Sequence, residues 1–228
     1  MKIYSLYTEV NNELKYEYSL QKYGDVVALK TFSNSLAQLI HTHIKGNKNV
    51  LYVGVKYPYS NIYKKNFIIL TENISKILGL PVVYAYYKYK YDPKNFYDNQ
   101  KERKVNPPIL EEYDKRIYKN WNFIVIEDSI VTGNTINAID KSLDGVSKSI
   151  DVYTILDLSK KNIIEQDLNE YLFKKEGING LLKISSDKSF IPTTQFLRTY
   201  GTLSSSDKEL ITGNLKKIIE AAYLEYTT

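Results

Sequence analysis

The sequence predicts an α/β fold built on a parallel sheet with helices on both faces. Two observations carry this. Short apolar runs rich in β-branched residues recur at positions 50–55 (VLYVGV), 122–126 (NFIVI) and 150–156 (IDVYTIL). The stretches between them place apolar residues at helical spacing. Strand, helix and strand in alternation imply parallel pairing through right-handed crossovers. A chain of 228 residues, 43% hydrophobic and 25% charged, suits one globular domain. Its core is expected at about residues 25–158, with a helical cap or hood at about 159–228.

Two alternating runs at residues 3–10 and 15–21 flank Asn11-Asn12-Glu13 and predict an N-terminal β-hairpin. Leu29, Phe32, Leu36, Leu39, Ile40 and Ile44 then recur at helical spacing, with Asp25 placed to cap the start and Gly46 to stop the end. After the strand at 50–55, Phe67, Leu70, Ile74, Ile77 and Leu78 form a helical stripe that ends at Gly79, with Pro81 just beyond. A strand follows to about Tyr89. Residues 92–108 lack a period, carry many charges and end in two prolines, which predicts a long mobile loop, of a length that is usually functional or disordered. A short helix is expected at 110–118, then the strand at 122–126, a helix at 134–143 along Ile136, Ile139 and Leu143, and the strand at 150–156. Beyond Ser159 the pattern is helical; Ser206 and Glu209 fit a capping box ahead of the stripe Ile211, Leu215, Ile218, Ile219 and Ala222.

Composition narrows the function classes. The chain has no cysteine, which excludes disulfides and thiolate zinc sites. The charged amino terminus lacks the apolar core of a signal peptide, and no window approaches the roughly 18 apolar residues of a membrane span, so a cytoplasmic protein without membrane contact is expected. A formal charge of +5 favours anionic small molecules, or weak nucleic-acid contact, without demanding either. His41 and His43 stand two apart and diverge on a helix, so they do not form a metal pair. Aromatic and basic residues interleave at 84–104, as in single-strand binders, although an edge strand leading into the loop explains them more simply.

Residues 123–135, FIVIEDSIVTGNT, carry the chemistry. An apolar strand runs into Glu127 and Asp128, then through Ser129, Ile130, Val131, Thr132, Gly133, Asn134 and Thr135 into a helix. At the carboxyl end of a parallel strand such acids are expected to open onto the crevice where ligands bind. Adjacent carboxylates accept hydrogen bonds from a vicinal diol. Thr132 and Thr135 supply hydroxyls, Gly133 admits close backbone approach, and the helix amino end adds about half a positive charge. A diol reader followed by a phosphate cradle matches ribose 5-phosphate. A strand ending in a polar turn explains the TGNT part alone, but not the two acids.

This segment resembles the signature of type I phosphoribosyltransferases, in which apolar residues precede two acids, two variable positions and a threonine-glycine turn. The resemblance implies a Rossmann-like core that binds phosphoribosyl pyrophosphate, with Glu127 and Asp128 on the ribose hydroxyls and Ser129, Ile130, Val131, Thr132, Gly133, Asn134 and Thr135 around the 5-phosphate. It implies Mg²⁺ held mainly by the substrate, with Glu127 and Asp128 as additional donors. Upstream, Val53-Gly54-Val55-Lys56-Tyr57 occupies the place of the pyrophosphate loop, bringing Lys56 and Tyr57 to the substrate. Residues 100–106 (QKERKVN) look like the mobile-loop pattern of ComF-type members. The likeness covers about residues 50–156. The chain departs from ComF-type proteins in lacking their cysteine zinc element and an Arg-Gly pair near Lys65-Asn66. Val131 stands where 6-oxopurine enzymes carry a base-reading aspartate, so hypoxanthine and guanine are not expected substrates.

The expected reaction displaces pyrophosphate from the anomeric carbon, with charge building on the leaving group; catalysis is then mainly electrostatic positioning. Arg103, with Lys101 and Lys104, is expected to reach the pyrophosphate from the loop, Lys56 from the opposite side, and Asp128 to act at the ribose. Expected partners are phosphoribosyl pyrophosphate, a nucleobase-like nitrogen acceptor and a second copy in a homodimer. The rival expectation is a non-catalytic module that senses the same ligand or a nucleotide, as in a ComF-like protein linked to DNA uptake. A receiver-like switch at Asp128 fits the fold class but leaves Thr132-Gly133 without a role.

Overall fold

A computed structural model of the chain describes residues 1–56, 62–87, 107–161 and 163–227. It divides into two compact units: residues 1–9, 32–59 and 70–163 form the first, and residues 10–31, 60–69 and 164–228 the second.

The first unit holds a five-stranded sheet. Its strands are β1 (Lys2–Tyr7), β2 (Asn49–Lys56), β3 (Val82–Tyr87), β4 (Asn122–Ile130) and β5 (Ser149–Asp157), in the spatial order β1-β5-β4-β2-β3. All four pairings are parallel, as the alternation of elements predicts. The order reverses between β2 and β4: from β2 the chain moves outward to β3, then returns to β4 and continues to β5. Open α/β sheets gather ligands at such a switch point.

On one face Val50, Tyr52, Phe123, Val125, Ile150 and Val152 pack with Ile136, Ile139 and Leu143 of helix α5 (Asn134–Ser142) and its end. The opposite face meets α2 (Val26–His43), whose His43 ring lies 6.3 Å from that of Tyr153 and 4.2 Å from that of Tyr4. Asn73 of α3 (Asn66–Leu78) donates to Ser33 of α2 at 3.3 Å. Helices therefore cover both faces, which explains why the central strands are apolar almost throughout and not alternating.

The predicted amino-terminal hairpin does not form. Its first run is β1, which pairs with β5, and its second is helix α1 (Asn12–Tyr23). Asn11 does not turn a hairpin; it caps α1, its Oδ1 accepting from Leu14 N at 2.8 Å. The alternation at 15–21 misleads because Tyr18, Ser19, Gln21, Lys22 and Tyr23 are all buried while Glu13 and Glu17 are exposed, so burial in α1 does not follow side-chain polarity. The cap at Asp25 is as expected, its Oδ1 accepting from Ala28 N at 2.7 Å.

The second unit is largely helical. Its elements include α1, α6 (Glu165–Asn169), α7 (Tyr171–Glu176), α8 (Ile178–Ser185), α9 (Thr194–Thr202), α10 (Ser205–Glu209) and α11 (Gly213–Thr227). Tyr23, Leu172, Leu181, Phe196, Leu197 and Ile219 belong to its core. Ser19 ties α1 into this core, donating to Asn169 O at 3.1 Å and accepting from Leu172 N at 2.9 Å. The capping-box reading needs correction. Ser204, not Ser206, caps α10 by accepting from Asp207 N, and the stripe from Leu215 onward lies in the separate α11.

Gly24 closes α1 at φ +95°, and a β-carbon there would stand 2.9 Å from Ile191 O. Left-handed strain alone costs a non-glycine residue roughly 1–2 kcal/mol, and backbone contact adds to it. Gly24→Ala is expected to lower stability by about 2 kcal/mol or more, read as a fall in the urea midpoint at unchanged slope; an unchanged midpoint would show that the turn relaxes freely.

Candidate functional site

β4 is the central element of the site. It pairs with β2 only from Asn122 to Val125, whereas its pairing with β5 continues to Ile130 opposite Asp157. β2 in turn runs beside β3 to the pair Lys56 and Tyr87. Beyond Tyr52 and Val125 the two strands therefore part at the switch point. Glu127 and Asp128 lie in this parted stretch of β4.

The strand is longer than the sequence suggests. Ser129 and Ile130 are still strand residues, Leu158 N donates to Ile130 O at 2.8 Å, and Ile130 joins the apolar cluster beneath α5. The side chain of Ile130 is thus buried and its carbonyl engaged, and the turn is confined to residues 131–133. The two acids are correspondingly within the strand and not at its tip. Glu127 is 9% and Asp128 6% exposed, so the expectation that both open freely onto the crevice is not met. Continued pairing with β5 is the reason: it keeps their backbone inside the sheet for three further residues. Asp128 Oδ1 accepts from Ser129 N at 2.7 Å.

The turn into α5 has the features expected of it. Gly133 takes φ +72°, ψ 0°, a left-handed conformation natural to glycine, and occupies the N-cap position without a side-chain cap. Asn134 N donates weakly to Thr132 Oγ1 at 3.4 Å. No acidic residue stands in the first turn of α5, so the partial positive charge of its amino end is not offset there. Thr132 is exposed, and Ser129, Val131, Asn134 and Thr135 are half-buried.

Around this centre, Tyr86 and Ile109 exchange both backbone hydrogen bonds at 2.8 Å. The ends of the 88–106 segment are thereby fixed together at the carboxyl end of β3. Ser142 Oγ donates to Pro108 O at 2.6 Å, so its single proton is used and Tyr52 OH is the donor in the 3.0 Å contact with Ser142. Burial pushes the Tyr52 phenol above its ordinary range, while the Ser142 contact opposes this. This brace from β2 through α5 to Pro108 was not foreseen, because nothing in sequence spacing pairs residues 52, 108 and 142. Lys56 ends β2, but its side chain lies outside the described residues. So do Tyr57 and the loop residues Lys101, Arg103 and Lys104. Among the described residues no three His, Asp, Glu or Cys side chains gather as a metal site, and none of the described helices is long and apolar enough to cross a membrane.

No protein-family profile matches the chain. No curated protein matches it significantly in sequence. Solved structures to which it is similar include a hypoxanthine phosphoribosyltransferase from Staphylococcus aureus, at 14% identity over 58% of this chain and 65% of that one, with a TM-score of 0.39. The chain thus spans less than two thirds of that protein. A hypothetical protein from Neisseria gonorrhoeae with bound ppGpp aligns at 11% identity over 63% of this chain and 76% of that one, TM-score 0.42. An adenine phosphoribosyltransferase from Thermoanaerobacter pseudethanolicus aligns at 14% identity over 59% and 82%, TM-score 0.36.

Ser142→Ala removes the donor to Pro108 O and the acceptor of Tyr52 OH. Leaving such buried groups unpaired costs about 1–3 kcal/mol. The expected outcome is a loss of that size in a chemical denaturation curve; a loss under about 0.5 kcal/mol would mean that water replaces the serine.

Proposed function

We propose that the first unit binds phosphoribosyl pyrophosphate along β4 and the turn into α5, and that the chain transfers its phosphoribosyl group to a nitrogen acceptor. The observation that supports this most is one juxtaposition. Two adjacent carboxylates lie where β4 has parted from β2, and five residues after Asp128 the left-handed Gly133 opens a helix whose amino end is not offset by acid. Ribose hydroxyls donate to Glu127 and Asp128, and the 5-phosphate accepts from the backbone N–H groups and hydroxyls of residues 132–135. The burial of both carboxylates favours such contacts, since hydrogen bonds to a charged acceptor strengthen in a poorly solvated site.

Mg²⁺ fits this donor set: two hard carboxylates supplement the oxygens of the substrate, with no separate protein cage required. Bound there, the ion supplies charge neutralisation for the leaving pyrophosphate. In the reaction the bond from the anomeric carbon to pyrophosphate oxygen breaks and its electron pair leaves with the pyrophosphate. The lone pair of the acceptor nitrogen forms the new bond, and that nitrogen gives up its proton. Asp128 holds the ribose, while Lys56, Lys101, Arg103 and Lys104 carry positive charge for the departing group. Val131 offers no polar contact to a base, which sets 6-oxopurines aside as acceptors.

Isothermal titration with phosphoribosyl pyrophosphate and Mg²⁺ tests the binding step. The native chain is expected to bind, and Asp128→Asn, which keeps shape and one acceptor, to bind at least tenfold more weakly, about 1.4 kcal/mol. Absence of binding by the native chain overturns the proposal. Pyrophosphate release with a panel of nucleobases tests the chemistry: Arg103→Ala is expected to cut turnover at least tenfold while leaving the melting temperature unchanged, and unaltered turnover removes Arg103 from the mechanism.

A further inference from the structure

The amino-terminal edge of the sheet, opposite the end just described, bears a rim of unpaired positive charge. Asn49, Asn122 and Ser149 open β2, β4 and β5 in one register, so the residues preceding these strands lie side by side. Lys48 O accepts from Asn122 N at 2.9 Å, and Lys148 N donates to Trp121 O at 2.8 Å. Asn122 Nδ2 also reaches Lys45 O at 3.5 Å. Lys119 stands two residues before Trp121, and Arg116 lies in the last turn of α4 (Glu112–Ile117). Lys45, Lys48, Arg116, Lys119 and Lys148 are all exposed, and among the described residues none of them forms an ion pair. Acids also stand on these connections: Asp144 is exposed in the turn before β5, Glu111 and Glu112 are exposed at the start of α4, where Glu112 pairs with Lys115 and lies in the field of Arg116, and Asp114 is half-buried, its carboxyl raised by burial and by Glu111.

The rim is also braced. Ser149 Oγ donates to Asn122 Oδ1 at 3.0 Å, Asn122 Nδ2 to Asn49 Oδ1 at 3.1 Å, and Asn49 Nδ2 to Gly46 O at 2.8 Å. This chain of side chains fixes the three loops relative to one another, so the segments that bear the lysines stand side by side before any ligand arrives. Aromatic surface accompanies them. Trp121 and Tyr118 are half-buried, packed against the apolar cluster of the sheet and edge-on to one another with centroids 5.1 Å apart, and Tyr113 is 67% exposed one helical turn before Ile117, itself 43% exposed.

We infer that this rim binds single-stranded nucleic acid. Three strand starts about 4.8 Å apart span about 10 Å, wide enough for neighbouring phosphates of one strand to meet cations from different loops. Lysines on a backbone track with aromatic surface alongside are the means by which single strands are held without sequence preference. A duplex would bring its second row of phosphates beyond the rim and keep its bases from the aromatic rings. The inference does not depend on the sugar-phosphate site, which occupies the other end of the strands.

Trp121, the chain's single tryptophan, reports on the rim directly. The test titrates the full chain with a twenty-nucleotide oligothymidylate at several salt concentrations, following Trp121 fluorescence and the anisotropy of a labelled oligonucleotide. The expected result is quenching on binding, with weaker affinity as salt rises. Lys48→Gln/Lys119→Gln/Lys148→Gln should weaken binding at least tenfold and flatten the slope of log K against log salt by about 2, since each cation contributes about 0.7. The charge-keeping variant Lys48→Arg/Lys119→Arg/Lys148→Arg should retain both, which separates charge loss from unfolding. No binding at low salt, an unchanged slope in the glutamine variant, tighter binding of a duplex with equal quenching, or binding of phosphatidylserine vesicles in preference to the oligonucleotide would each overturn the inference.

Discussion

The hydrogen-bond pairing of β4 is the constraint on which the first unit turns. The strand is held on both sides for its first four residues and on one side for the rest. A parallel strand paired on both edges has no free backbone and admits no ligand between it and its neighbour. By parting from β2 after Val125, β4 keeps enough pairing with β5 to stay extended while its other edge turns toward the switch point. The two carboxylates occupy this stretch because charged groups are tolerated in a central strand only where the sheet has begun to open. The apolar cluster beneath α5 then fixes where the helix begins, and hence where Gly133 must reverse the backbone.

Much of this was legible in the sequence. The runs at 50–55 and 150–156 become β2 and β5 with ends shifted by a residue. Gly79 stops α3 at φ +66°, as its position before Pro81 implies. These elements are read easily because burial on both faces leaves continuous apolar runs, and because glycine and proline mark their limits. The depth of the two acids in the sheet was not legible. Glu127, Asp128 and Ser129 look like the beginning of a loop because polar residues interrupt the apolar run. The strand nevertheless continues, since β5 offers matching backbone partners as far as Asp157, a pairing between residues nearly thirty apart that no local pattern announces.

The amino-terminal segment failed for the opposite reason. Residues 15–21 alternate apolar and polar, yet α1 buries polar side chains beside its apolar ones, among them Ser19, which bonds to Asn169 and Leu172 in the second unit. Amphipathic periodicity is read from side-chain polarity, so a helix that buries Ser19, Gln21 and Lys22 does not display it. The rim of lysines was hidden differently. Its members are spread between residues 45 and 148, and a net charge of +5 gives no hint that several of them converge. Only the shared starting level of three strands brings them together.

The paired backbones of Tyr86 and Ile109 have an evolutionary consequence. Because the chain is clasped at both ends of residues 88–106, the free energy of closing that segment varies only slowly with its length, about 0.6 kcal/mol for each doubling. Insertions and deletions there are nearly neutral for the sheet, because the pairing of Tyr86 with Ile109 holds the chain on either side of them. Selection can therefore lengthen or shorten this stretch of sequence without disturbing the fold that carries it.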